Sequence, residues 1–237
     1  MGRAMGKLAA ALLTGGALAG GGAAALGASG DPVRTGATTI EVDAGLPEFT
    51  GGITPLSAAA RRAMTPRVWR RGCPVGLGAL RAVRVSYVGW NGAAQRGTIV
   101  VHRAHAKRTL RVFRALYAAR FPVRRIHPIE RYGGSDDRSI EADNTSAFNC
   151  RKVTGGTGWS EHAYGRAIDL NPIENPYIAD GRTSHRRSVA YLDRARTRPG
   201  MATEGSAAVR AFDDAGFRWG GRWTDPVDTQ HFSTTGR

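Results

Sequence analysis

The chain has 237 residues, enough for one domain with a real core and too few for two comfortable ones. Its formal charge is +15, from 34 Lys and Arg against 19 Asp and Glu, which excludes an acidic solvating protein and points to a polyanionic neighbour. Charge alone leaves nucleic acid, an acidic membrane surface and an anionic wall polymer open, beside the plain reading of solvated arginine faces.

In chain order, Arg3 and Lys7 precede "LAAALLTGGALAGGGAAALGA", an apolar, small-residue run with cleavage-like alanines at Ala23–Ala28. That layout predicts an export signal over residues 1–28. Its glycines make it a poor spanning helix, and no later stretch has the ~18–20 apolar residues of a membrane span. Export argues against nucleic acid as the main partner. Residues 29–72, rich in Gly, Ala, Thr, Pro and Arg, are expected to form a linker or loosely attached arm. The compact domain is then expected over 73–237. Cys73 and Cys150, an even pair in an oxidising compartment, predict one disulfide.

"LRAVRVSYVGW" alternates apolar and polar positions and predicts a strand. Asn91-Gly92 predicts a turn, and "GTIVVH" a returning strand. "KRTLRVFRALYAARFP" puts Leu110, Phe113, Leu116 and Tyr117 on one helical stripe ending before Pro122. "VRRIHPIERY" is expected as a strand and "GGSDDRSIEADNTSAFNCR" as an irregular functional loop. "SAAVRAFDDAGF" predicts a helix ending near Gly216, with strand pieces in "FRWGGRW" and "TQHFS". Strands with segregated helices predict an α+β fold, an antiparallel sheet with helices packed to one side.

The chemistry concentrates in "GWSEHAYGRAIDLNP", Gly158–Pro172. On a strand, Gly165, Ala167 and Asp169 share one face, and the two small residues are expected to leave room for a ligand. His162 has the wrong parity for that face and must fold back from a preceding turn, which Gly165 permits. An imidazole and a carboxylate are two of the three protein ligands of a catalytic zinc site. "DPVDTQHFS" supplies His231 as the third, with Asp228 three residues earlier and placed to take a proton from water. His102, His105, His127 and His185 read as packed or surface residues, and Trp219 and Trp223 as core.

Ser160, His162, Gly165, Ala167 and Asp169 fit the pattern S-x-H-x-x-G-x-A-x-D, and with "GGRWTDPVDTQHF" downstream the chain resembles the D-alanyl-D-alanine carboxypeptidase family of zinc peptidases. The likeness is nearest to the branch of L-alanyl-D-glutamate endopeptidases and covers about Cys73 to Ser233. It implies a hedgehog/DD-peptidase-like fold, one zinc ion on His162, Asp169 and His231, and Asp228 as general base. It also implies an arginine on the scissile carbonyl, Arg138 in "DDRS" with Arg151 in "NCR" as competitor. Ser160 would touch substrate, orient His162 or simply make the turn. The expected activity is hydrolysis of an amide bond in peptidoglycan stem peptides by a secreted, wall-associated monomer. Anionic wall polymers are the expected charge partners, with no nucleic acid and no membrane span. A wall-binding or signalling module on the same fold is the rival reading.

Overall fold

The computed structural model describes residues 45–237. The expected signal over 1–28, and the arm as far as residue 44, lie outside the described residues. Within them the chain is α+β, built from short antiparallel sheets and four helices. No helix among the described residues is long and apolar enough to cross a membrane.

The first sheet contains β1 (Gly51–Pro55), β2 (Leu80–Val88) and β3 (Ala94–His102), in the order β1-β2-β3 and antiparallel throughout. The expected hairpin is there, with Leu80 opposite His102, Val88 opposite Ala94, and Gly92 in the left-handed conformation at its tip. Val83, Val85 and Ile99 are buried and pack beneath α2 (Ala106–Ala118) with its Val112, Phe113 and Leu116. Leu110 is only partly buried, at the edge of the expected stripe.

The described part of the arm expected over 29–72, residues 45–72, does not stay loose. Gly51–Pro55 pairs along β2, and α1 (Ala58–Met64), capped by Ser57 Oγ on the Ala60 amide, buries Met64 completely. Met64 and Val68 join Leu80, Val100, Ile129 and Phe148 in a second core, so the packed unit begins well before Cys73. Small residues hid this: an apolar pair set among glycines, alanines and arginines has no detectable period. Cys73 and Cys150 form the expected disulfide, with Cα atoms 5.9 Å apart.

Two other expectations need correction. "VRRIHPIERY" is no strand; Ile126 makes a single bridge, and Pro128, lacking an N–H, leads instead into a 3₁₀ turn at Ile129–Tyr132. "GGSDDRSIEADNTSAFNCR" is only in part the irregular loop expected. It opens with α3 (Asp136–Glu141), capped by Ser135, and continues as a buried strip from Asp143 to Cys150.

That strip joins the two halves. Thr98 donates its amide to Ile126 O, Ile126 bridges Thr145, and Ser146 bridges Asp169. Asp169 ends β4 (Ala167–Asp169), which belongs to the second sheet, ordered β4-β8-β6 with β8 (His231–Ser233) and β6 (Arg218–Trp219). A two-stranded ribbon pairs β5 (Tyr177–Ile178) with β7 (Val227–Asp228). The helix α4 (Ala207–Asp214) covers the second sheet, with Phe212 stacked on Phe232 at 3.8 Å between ring centroids. Phe113, Phe212 and Phe232 are all fully buried, each contributing roughly 1.5–3 kcal/mol of apolar transfer.

Candidate metal centre

The strand register brings the two ligand motifs together. β4 and β8 run antiparallel with Asp169 directly opposite His231, so residues 62 apart in sequence become cross-strand neighbours. His162 arrives from the 3₁₀ turn Glu161–Tyr164, which folds back as parity requires and ends at Gly165 with φ 66. Ser160 Oγ accepts the His162 amide at 3.3 Å and caps that turn.

The small residues of the motif have a different purpose from the expected one. Ala167 is fully buried, and a Cβ on Gly165 would sit 2.6 Å from the His102 amide nitrogen, which donates to Gly165 O. Gly165 and Ala167 admit neighbouring protein, not ligand. The close approach locks the His162 turn against the end of β3.

His162 Nε2 lies 3.1 Å from Asp169 Oδ2, His231 Nδ1 lies 3.1 Å from Asp169 Oδ1, and the two ring nitrogens are 3.3 Å apart. These are the three donors that could hold one metal ion, all within 4.8 Å of one another. The opposite ring nitrogens are both engaged. His162 Nδ1 donates to Ala147 O at 2.6 Å, and His231 Nε2 donates to the backbone oxygen of Arg237 at 2.9 Å. Each bond fixes a tautomer whose lone pair points at the Asp169 carboxylate. Two lone pairs and a carboxylate facing one another repel unless a cation lies between them. The donor set therefore fits a zinc-like ion, with two nitrogens and an oxygen and a fourth position left over.

A proton answers the same demand. Burial lowers the His231 pKa, but its bond to Asp169 and the charges of Asp169 and Asp228 outweigh that and hold it at about 9. Burial raises Asp169, and the two histidines more than reverse the effect, keeping it far below the usual carboxylate range.

Asp228 stands beside the triad on β7. Burial pushes its carboxyl up to about 6, with Asp169 adding to the rise and His231 and His162 opposing it. Its Oδ1 is buried without a hydrogen-bond partner. A buried carboxylate oxygen left unpaired costs stability and marks a group available to something else. Gly220 makes the arrangement possible: a Cβ there would lie 2.6 Å from Asp228 O and 3.3 Å from the Cβ atoms of both Asp228 and His231.

The arginines are not at the triad by any direct contact. Arg138 lies on exposed α3, its guanidinium folded over Gly133. Arg151 is half-buried and pairs with Asp136, whose other oxygen accepts from Asn149. Asn149 in turn donates its amide to His162 O, so Arg151 is linked to the centre through two residues and Arg138 is not.

Sequence reasoning missed several contributors. The acceptors on Ala147 and Arg237 are backbone atoms and carry no residue signature. Glu161 accepts from Arg166 at 2.7 and 2.9 Å and from Thr235 Oγ1, bracing the turn that holds His162 against the tail that follows β8. Trp223, expected to fill the core, is only partly buried, packs its ring 5.6 Å from that of His231 and donates Nε1 to Gly236 O. Trp219 does fill the core, stacked on Phe232. The Gly220-Gly221 pair between two tryptophans was the signal that could have exposed this packing.

No curated protein matches the chain, and no solved structure matches it. The model of the D-alanyl-D-alanine carboxypeptidase family does, over residues 154–234, a segment holding His162, Asp169, His231 and Asp228. The resemblance first seen in the two motifs is thus matched by that family's model across this segment, about a third of the chain.

Proposed function

We propose that the protein is a secreted zinc peptidase that hydrolyses an amide bond in peptidoglycan stem peptides, on a hedgehog/DD-peptidase-like fold. The bond is either the L-Ala-D-Glu linkage or the terminal D-Ala-D-Ala linkage. The observation that carries this is the pair of locked tautomers, which turns His162 Nε2 and His231 Nδ1 onto one carboxylate. Zinc bound by His162, Asp169 and His231 would supply Lewis acidity toward water and the scissile carbonyl.

The chain's own residues supply the rest. Asp228, with a free buried oxygen, takes the proton from the attacking water and returns it to the departing amine. Its raised pKa keeps it a competent acid as well as a base. Arg151, with its linkage to His162 through Asp136 and Asn149, is better placed than Arg138 to steady the carbonyl oxygen. Tyr177, opposite Asp228 in the ribbon and 42% exposed, forms an open wall for a peptide beside the base. The disulfide suits an oxidising compartment, and the +15 charge favours retention on an anionic wall.

Purified protein incubated with peptidoglycan should create new peptide termini, identified by mass spectrometry, which disappear with a chelator and return with zinc. Termini at D-Ala-D-Ala or at L-Ala-D-Glu would assign the bond. Intact peptidoglycan after zinc loading would leave only a binding module.

A further inference from the structure

The first sheet carries a feature that the metal centre does not use. On the face bearing Gly52, Arg84 and Thr98, two arginines stand on adjacent strands. Arg84 is opposite Thr98 and Arg96 is opposite Ser86, which places Arg84 and Arg96 diagonally on one surface. Like charges so placed oppose sheet formation. A third, Arg131, comes from the segment bonded to the far edge of β3.

The three converge on a cavity of about 540 Å³, floored by Gly52 and Thr98 and flanked by His127. Among the described residues no acidic side chain lines it, and none of the three arginines is in an ion pair. By contrast, Arg124, Arg151, Arg166 and Arg222 all have carboxylate partners. Burial lowers the pKa of the neighbouring His127, and Arg131 and Arg125 lower it further, a sign of uncompensated positive potential.

The geometry points to a binding site in this cavity for a phosphodiester polymer without aromatic bases, gripped by Arg84, Arg96 and Arg131. Guanidinium forks match phosphate oxygens in pairs, and arginines on three separate segments suit a chain of repeated anions. Single-stranded nucleic acid is disfavoured because its sequence-tolerant binding uses aromatic platforms, and among the described residues no Trp, Tyr or Phe lines the cavity. The site is independent of the hydrolase reading. It lies on the sheet that precedes the ligand motifs and stands or falls without zinc.

The test is equilibrium binding of the purified protein to a short glycerol phosphate oligomer at physiological salt. Inorganic phosphate and a single-stranded oligonucleotide of equal charge run in parallel. Expected is binding of the oligomer that weakens at least about tenfold in Arg84→Gln/Arg96→Gln/Arg131→Gln. A control that removes the same charge from exposed positions outside the cavity, Arg62→Gln/Lys107→Gln/Arg111→Gln, should change it by no more than about twofold. Arg131→Gln alone, outside the strands, should weaken binding with an unchanged Tm, which separates the site from sheet stability. Equal losses in the control, no binding by the unaltered protein, free phosphate binding as tightly as the oligomer, or tighter binding of the oligonucleotide would each overturn the proposal.

Discussion

His162 donates from Nδ1 to the carbonyl oxygen of Ala147, and that one bond turns its Nε2 toward Asp169, 3.1 Å away. His231 does the same in mirror sense, with Nε2 anchored on Arg237 and Nδ1 facing Asp169. Against burial, Asp169 and Asp228 hold the His231 pKa at about 9, so a zinc ion at the proposed site would displace that proton. Zinc binding should therefore release protons at pH 7, seen as calorimetric heats that vary with buffer ionisation enthalpy. Affinity should fall as pH drops. Asp169→Asn should weaken zinc by roughly 100-fold or more in chelator competition; an unchanged affinity would remove the centre.

Asp228 and the triad separate metal retention from turnover. Asp228→Asn keeps the side-chain volume and touches none of the three donors, so zinc content by elemental analysis should stay near one per chain. Hydrolysis should fall about 10²–10⁴-fold, the usual worth of a positioned general base. Normal rates would relieve Asp228 of that role.

Gly220 tests the packing that brings Asp228 and His231 together. A Cβ there meets Asp228 O at 2.6 Å and the His231 Cβ at 3.3 Å, so the neighbouring backbone must move. Gly220→Ala should cost about 1–3 kcal/mol in denaturant unfolding and reduce zinc affinity together with activity. A variant with normal stability and normal zinc binding would show that the segment gives way without disturbing the ligands.

What could be seen in the sequence follows from where information resides in side chains. The Leu80–His102 hairpin and α2 declared themselves through strong periods and an Asn-Gly turn, and the three donors through two spaced motifs. The Asp143–Cys150 strip did not, because its burial comes from neighbours on both sides rather than from apolar alternation: Asn144 and Asn149 satisfy backbone and side-chain partners inside the core. Gly165 was seen as a turn residue, yet its closeness to His102 was not, since the partner is a backbone amide 63 positions away. Segment 51–71 lacked period because its core contribution rests on Leu56, Met64 and Val68, set among residues that face solvent.

A buried acid pair predicts a second pH dependence, away from the His162–Asp169–His231 cluster. Glu174, with its side chain 1% exposed, faces Asp143, Arg124, Arg194 and Tyr191. Burial first, then the Asp143 carboxylate, lifts its pKa to about 8, with Arg124 opposing. A carboxyl held protonated in the fold stabilises it fully below its unfolded pKa, and that contribution is lost as pH rises through the folded value. Stability should thus decline between about pH 5 and 8, by on the order of a few kcal/mol if other groups are unchanged. Glu174→Gln cannot ionise and should flatten the Tm profile over that window; an equally steep profile would place the dependence elsewhere.

The disulfide ties the N-terminal segment to the buried strip, and its removal measures how far that segment belongs to the fold. Cys73 and Cys150 are 77 positions apart, and opening a loop of that length should cost about 4 kcal/mol through the unfolded chain. The partners around it make the loss local as well as global. Trp69 donates to Val75 O, Arg70 donates to Cys150 O, and the Cys150 amide donates to Val68 O, so a freed Cys73 loosens one wall of the second core. Cys73→Ser/Cys150→Ser should lower the Tm and speed amide hydrogen exchange over residues 56–76 before the second sheet is affected. Uniform exchange across both sheets would mean that the two cores open together and that the segment is no weaker than the half that carries His162, Asp169 and His231.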